Sequence, residues 1–382
     1  MFDYSQLSKV AAKDQDITAT LDDLFQLVRA CYPTLSRLSV ALTSENKATN
    51  YFVSDALCQE ASHNYVEYNI RPESSLRKMS ELPSVRVIND LSTMNPTRQI
   101  CRLIDIGHQS SYTSPIYYRD KNLGFIFINA TAIGFFNQKS IQADIAYLSQ
   151  LIASLFTRLH ENQKHFQTSL AIALNMGHAR DPETKEHLIR MGRYSEILAR
   201  AMSDQKPEIT YQFIHRIRVY APFHDIGKYR IPDHVLFSTK RFSDEDRAIM
   251  NKHTLYGEAM IEDVVSISDN HSISQDEVQF LKNIIRHHHE RYDGTGLPDN
   301  LCGTQIPLEA RIVTLADVFD ALLSKRAYKS EWAIDDVLAY IEENVGIMFD
   351  PNCVEALKQN LDTCMAVREQ FSDKEEVTSF QA

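Results

Sequence analysis

The 382-residue sequence contains no CxxC pair: its six cysteines (Cys31, Cys58, Cys101, Cys302, Cys353, Cys364) are scattered along the chain. That scatter suits reduced thiols in a cytosol better than a disulfide framework. Positive charge is not in excess either. Forty Lys and Arg oppose 51 Asp and Glu, a net charge of −11, so a broad basic face for duplex nucleic acid is not expected. The longest apolar stretch, Leu123–Phe136, is interrupted by Asn129 and Thr131 and falls short of the ~20 residues of a membrane-spanning helix. The opening MFDYSQLSKV lacks the basic-then-apolar pattern of a secretory signal. A cytoplasmic protein with no membrane span is the expectation. Hydrophobic residues at 43% and charged residues at 24% argue against wholesale disorder.

The distribution of what is present divides the chain. Of 14 histidines, only His63 and His108 precede His160, and none follows His289. Residues 1–160 hold 15 basic and 15 acidic side chains, whereas residues 161–382 hold 25 and 36 and carry the whole net charge. A neutral first part is thus joined to a His- and carboxylate-rich second part.

The first part reads as mixed α/β. Leu21, Leu24, Phe25 and Val28 give Thr18–Cys31 helical spacing, and strands are expected at Leu35–Leu42 and Tyr51–Leu57. Tyr112–Tyr118 and Leu123–Ala130 flank a turn-forming Arg119–Asn122 and predict a β-hairpin. From Ile141 through Leu159 the apolar stripe is helical and continues with little interruption to Gly177. This order, with PIYYRDKNLGFIFINA in the hairpin, resembles a GAF-type sensory domain over about residues 18–157. The resemblance implies a sensing or a dimerisation module. Cys101 and His108, isolated in a loop-rich stretch, give no basis for naming a metal or haem ligand. A long exit helix of this kind commonly pairs with its counterpart, so a homodimer is expected.

The second part reads as all-helical. Tyr211–His224 has three- and four-residue apolar steps with Gly227 as a stop. Ser243 and Asp246 form a capping box opening a helix towards Ile261, and Glu277–His289 and Ala310–Leu323 follow. On this framework lie His187, the His224-Asp225 pair, His253, His288, His289 and Asp317. Adjacent side chains on a helix diverge by ~100°, so His224 and Asp225 grip one site only if other helices supply further ligands. Imidazoles mixed with carboxylates suit Fe, Mn, Ni, Co or Zn, and Asp225 has two oxygens with which to bridge two ions. Paired ions acidify a shared water and clamp a phosphoryl group. Each of these residues alone is more often structural, but their joint order and spacing point to a site. Glu183 lies four residues before His187, yet spacing alone favours a solvated residue in the turn-like DPETKEH.

The blocks HDIGKYRIPDHVL, HTLYGEAMI, HHERYDGTGLP and RIVTLADVFDALLSKRAYK together closely resemble an HD-GYP phosphodiesterase, a branch of the HD metallohydrolases, over about residues 165–370. The resemblance implies an all-α domain holding two or three divalent transition-metal ions, foremost Fe or Mn, with Ni, Co or Zn as alternatives. Its ligand positions fall on His187, His224, Asp225, His253, His288, His289 and Asp317. In the three-metal branch a glutamate ligand falls on Glu183. Phosphate-facing residues fall on Lys228, Arg326 and Lys329. Two departures stand out: Gly296-Leu297-Pro298 replaces Gly-Tyr-Pro, which touches partner docking and guanine contacts rather than any ligand, and Ala327 stands where proline is common.

The expected protein is α+β: a GAF-like α/β domain at 1–157 ending in a linker helix, an all-α phosphodiesterase domain at 158–370 and a polar tail at 371–382. The expected reaction is hydrolysis of cyclic di-GMP to linear pGpG, with GMP as a further end point, by bridging-hydroxide attack with Asp225 and Lys228 in catalytic roles. Lys228 would stabilise developing charge or assist the leaving 3′-oxygen. The alternatives are the same chemistry on 3′,3′-cyclic GMP-AMP, or a silent cyclic-dinucleotide receptor. Retention of every ligand position opposes the silent receptor. The extra His253, His288 and His289 oppose a nucleoside-triphosphate hydrolase.

Overall fold

A computed structural model describes residues 2–13, 16–44, 46–58, 67–178, 184–267, 273–324 and 331–373. The chain forms two compact units, Met1–Gln163 and Lys164–Ala382.

The first unit runs α1 (Tyr4–Ala11), α2 (Ile17–Cys31), β1 (Leu35–Ser44), β2 (Lys47–Asp55), β3 (Glu67–Asn69), α3 (Ser75–Glu81), β4 (Arg86–Ile88), α4 (Arg98–Ile106), β5 (Ser110–Tyr118) and β6 (Lys121–Ala130). It leads into α5 (Lys139–His178), a 40-residue helix that Gly177 does not interrupt. Asp16 starts α2 by accepting the Thr18 and Ala19 N–H groups, satisfying two of the donors every helix start leaves open. The sheet order is β3-β2-β1-β6-β5-β4, with all neighbours antiparallel. The expected hairpin is β5–β6, and Arg119 at φ 53° closes it, a left-handed turn that matches strand twist. One face of the sheet carries Leu38, Val40, Ile126 and Ile128, which pack with Leu21, Leu24 and Phe25 of α2 and Ile145, Leu148 and Ile152 of α5. The other face carries Ala41 and Phe125 against Ile70 and Met79. His108 is buried here, with Nδ1 2.8 Å from Ser36 Oγ and Nε2 3.0 Å from Asp55 Oδ2. Cys101 is exposed on α4.

The second unit has no named β-strand among the described residues. Its helices are α6 (Lys185–Met202), α7 (Tyr211–Tyr220), α8 (Asp233–Leu236), α9 (Asp244–Met250), α10 (His253–Ile267), α11 (Gln275–His287), α12 (Leu308–Leu323), α13 (Ile334–Glu343), α14 (Pro351–Gln359) and α15 (Leu361–Gln370). Leu198, Ile217, Ile284, Ile285, Ile312, Leu315 and Phe319 are fully buried in its core.

Two helix boundaries differ from expectation. The stripe at 211–224 stops being α-helical at Tyr220, because Pro222 cannot donate to the helical ladder. The chain tightens into short turns at Ala221–Phe223 and Ile226–Arg230, and His224 and Asp225 lie between them. The helix opened by the Ser243–Asp246 capping box, which forms with both of its bonds, ends at Met250. A new helix starts at His253, whose Nδ1 lies 2.7 Å from the Met250 carbonyl.

Candidate metal centre

Each cluster side chain is placed by a local device. His187 sits in the first turn of α6, its N–H donating to Thr184 Oγ1 at 3.1 Å. His224 and Asp225 occupy the junction that Pro222 creates. His253 opens α10, His288 and His289 follow the last residue of α11, and Asp317 lies within α12. The junction reaches α10 because Gly227 has no side chain. A Cβ there would lie 1.9 Å from the His253 carbonyl oxygen and 2.4 Å from Gly257 N. Gly227→Ala is therefore expected to push α10 away and lower stability by ~1–3 kcal/mol through overpacking, with loss of bound metal. Thermal unfolding and elemental analysis check this, and an unchanged Tm with full metal content would refute the close approach.

The side chains converge in two adjoining groups, Asp225–His253–His288–His289 and His187–His224–Asp317, with the donor atoms of each group within 4.8 Å of one another. Asp225 faces both. Its Oδ1 is 3.0 Å from His253 Nε2 and 3.4 Å from His288 Nε2, and its Oδ2 is 3.4 Å from His224 Nε2. His224 Nε2 is also 3.9 Å from Asp317 Oδ1.

The donor chemistry is decided by what lies behind the rings. A main-chain carbonyl can only accept a hydrogen bond, so a ring nitrogen facing one carries the proton. His224 Nδ1 lies 3.0 Å from the Ala221 carbonyl, His253 Nδ1 2.7 Å from that of Met250, and His288 Nδ1 3.0 Å from that of Ile285. In this tautomer each Nε2 presents its lone pair inward. His253 Nε2 and His288 Nε2 then confront each other at 3.4 Å beside a carboxylate oxygen, acceptor against acceptor. A cation among them satisfies all three, and this is the observation that fits the set to a metal ion.

Electrostatics agree. Burial alone would raise the Asp225 carboxyl's pKa, but the charges beside it, the Lys228 ammonium foremost, hold the group ionised well below the usual carboxylate range. Lys228 Nζ is 2.6 Å from Asp225 Oδ2. Burial lowers the pKa of His288 despite Asp225 beside it, which favours the neutral imidazole that a metal requires.

The structure thus brings together His187, His224, Asp225, His253, His288, His289 and Asp317, with Lys228 at the edge. Glu183, Arg326 and Lys329 lie outside the described residues. Two residues that the sequence reading missed stand behind His187. Asp320 Oδ2 lies 2.8 Å from its Nδ1, and Arg190 donates to both oxygens of Asp320 at 2.6 and 2.8 Å. Their signal was present, since Asp320 lies one helical turn beyond Asp317 and Arg190 one turn beyond His187. A third group, His287, Glu290 and Asp299, also lies close together, but its carboxylates are engaged. Arg286 donates to both Asp299 oxygens at 2.7 and 2.8 Å, and Glu290 accepts the Asp299 and Leu301 N–H groups. That group fastens the loop on which Leu297 stands exposed.

Among the described residues, no helix is long and apolar enough to cross a membrane. The first unit is similar to the GAF domain of A. aeolicus nlh2, at 15% identity and a TM-score of 0.33 over 40% of this chain and 92% of that one. The chain is 36% identical over 234 residues to a cyclic di-GMP phosphodiesterase response regulator, RpfG, of Xanthomonas campestris pv. campestris, covering 61% of this chain and 57% of that protein. It is 34% identical to the 3′3′-cGAMP-specific phosphodiesterase 2 of Vibrio cholerae, over 58% of this chain and 39% of that one. It is 32% identical to a cyclic di-GMP phosphodiesterase of Thermotoga maritima, over 57% and 55%. The chain thus spans about half the length of the curated relatives it matches. The family model of the HD domain matches residues 156–353, more than half of the sequence, and with both histidine–carboxylate groups inside that span, this chain belongs to the HD-domain family.

Proposed function

We propose that this protein is a metal-dependent phosphodiesterase of the HD-GYP branch that hydrolyses cyclic di-GMP to linear pGpG. The observation that carries the reading is Asp225. One buried carboxylate faces two groups of inward lone pairs and has an ammonium against one of its oxygens. Asp225, His253, His288 and His289 would hold one divalent ion, and His187, His224 and Asp317 a second, with Asp225 turned to both. Glu183 belongs to the proposal as ligand to a third ion. Fe or Mn are the ions we favour, with Ni, Co or Zn as alternatives for the same donors. When bound, such a pair supplies Lewis acidity, lowering the pKa of water and screening the charge on phosphoryl oxygens.

The protein's own residues account for the rest. Burial of His224, His253 and His288 excludes bulk water and strengthens each charge interaction at the phosphate. The carbonyls behind the rings hold each Nε2 in place before substrate arrives, so no reorientation is required of them. Lys228, whose side chain keeps 19% of its surface exposed, is anchored on Asp225 and can donate to a phosphoryl oxygen or to the departing 3′-oxygen. Arg326 and Lys329 belong to the proposal as further phosphate contacts. The relatives' names favour a cyclic dinucleotide, and the specificity of one of them for 3′,3′-cyclic GMP-AMP makes that substrate the second reading, with Leu297 at the loop where the two would diverge.

Pairing of α5 with its counterpart in a second copy, and a cytoplasmic location in keeping with six free cysteines, complete the proposal. Chromatography of products from both cyclic dinucleotides, with elemental analysis of protein purified without chelator, tests it. Lys228→Ala is expected to cut kcat by roughly 10²-fold with metal content unchanged. Metal-free but fully active protein, or no linear product from either substrate, would refute the reading.

A further inference from the structure

Three cluster histidines, His224, His253 and His288, lean on main-chain carbonyls of their own turns. His187 leans instead on a carboxylate, and that carboxylate is the start of a closed circuit. Asp320, 1% exposed, lies 2.8 Å from His187 Nδ1 and receives both Nε and Nη2 of Arg190. Arg190, also 1% exposed, donates onward from Nη1 to the Phe371 carbonyl at 2.7 Å and to Asp373 Oδ1 at 3.1 Å. Asp373 in turn accepts from Thr184 Oγ1 at 2.6 Å, and the same hydroxyl oxygen caps the His187 N–H. The ring and the backbone of one cluster histidine are therefore both tied, through Arg190 and Thr184, to Asp373 beyond α15.

We infer that Asp320 is a positioning residue for the ion held by His187, His224 and Asp317, and that residues 371–373 latch it through Arg190 and Thr184. The inference rests on the metal reading above and concerns which of the two groups depends on residues 371–373. Asp320 keeps the proton on Nδ1 and makes the imidazole more basic than a carbonyl would, raising its strength as a donor. Arg190 keeps Asp320 ionised and occupies both of its oxygens, so that it supports the ligand without becoming one. Removing Asp373 leaves Thr184 and Arg190 without a shared partner and loosens His187 at both ends. The Asp225–His253–His288 side has its own carbonyl supports and meets this circuit only by way of His224 among the described residues, so its affinity is expected to depend far less on the latch.

The test uses full-length protein stripped of metal and titrated with Co2+, following d–d absorption and equilibrium dialysis, with thermal unfolding recorded for each variant. Asp320→Asn keeps the shape and removes the charge, and its amide can turn its NH2 to the ring and force the proton onto Nε2. The expected result is Co2+ binding 10–100-fold weaker at one class of site and unchanged at the other. Asp373→Ala is expected to weaken the same class several-fold. His187→Ala and His253→Ala identify the two classes. If Asp320→Asn binds at both classes as the wild type does while His187→Ala loses one, the positioning role is wrong and the metal reading stands. Equal weakening at both classes together with a lowered Tm assigns Asp320 a merely structural role and likewise overturns the inference. Wild-type binding by Asp373→Ala overturns the latch. If neither His187→Ala nor His253→Ala changes uptake, the metal reading itself fails.

Discussion

His224→Ala and Asp225→Ala are each expected to reduce the proposed cyclic-dinucleotide hydrolysis by roughly a thousandfold or more, about 4 kcal/mol of transition-state stabilisation, and to leave a folded protein. Asp225 is the residue whose loss reaches furthest. It belongs to one group of donors, lies 3.4 Å from His224 of the other, and anchors Lys228 Nζ at 2.6 Å, so in the proposed reading its removal would weaken both groups and release the cation meant for substrate. His224 faces both Asp225 and Asp317 and is fully buried, so no water-exposed side chain can substitute for it. The fold is expected to survive because the donor cluster sets acceptor against acceptor (His253 Nε2 and His288 Nε2 beside Asp225 Oδ1), so that deleting one side chain relieves crowding. Turnover measured with saturating substrate, metal content by elemental analysis and far-UV circular dichroism decide the matter. Near-wild-type turnover in either variant would sink the proposed site.

Arg190→Ala carries the largest expected cost in stability, about 3–5 kcal/mol. The variant strands the Asp320 carboxylate at 1% exposure with His187 at 2.8 Å and Arg368 at 3.7 Å as its remaining partners, and breaking a buried pair from one side is costly. For a unit of this size that corresponds to a Tm lower by roughly 10 °C. The pH dependence follows from the same carboxyl. Burial opposes its ionisation, but hydrogen bonds from His187 and Arg190 bring its pKa down from 3.8 to about 2. The folded-state value lies below the unfolded one, so the stabilisation, on the order of 2 kcal/mol, is complete above pH ~4 and is lost as the pH falls towards 2. The gap between wild type and Arg190→Ala should therefore narrow over that window. Denaturant unfolding of metal-free protein at pH 7, 4 and 3 measures it, and a gap that stays constant would show that Asp320 is not the group responsible.

Legibility in the sequence tracked the range of the interaction responsible. Helix α2, the β5–β6 hairpin and the start of α5 follow from apolar periodicity and turn residues within a few positions, and each formed where the pattern put it. The strands β3 and β4, three residues each, are too short to show an alternation and form because longer neighbours offer them an edge. At Tyr211–His224 the apolar spacing continued past Pro222, and the stripe masked the break. At Met250 the helix ends on a contact made by the imidazole of His253, which no spacing pattern records.

The sequence by itself determined the division into a neutral α/β part and a His-rich helical part, and it named the seven candidate ligands now found in two groups. Those are properties of residue type and order, and order is what a motif preserves. Only the tertiary structure decided how they work together: that Asp225 faces both groups, that carbonyls of Ala221, Met250 and Ile285 choose the tautomers, and that Arg190, Asp320 and Asp373 stand behind His187. The carbonyls are invisible in sequence because every residue has one. The Arg190 circuit is invisible because its members are up to 189 positions apart along the chain, and only the packing of α6 against α12 and α15 brings them within the reach of a hydrogen bond.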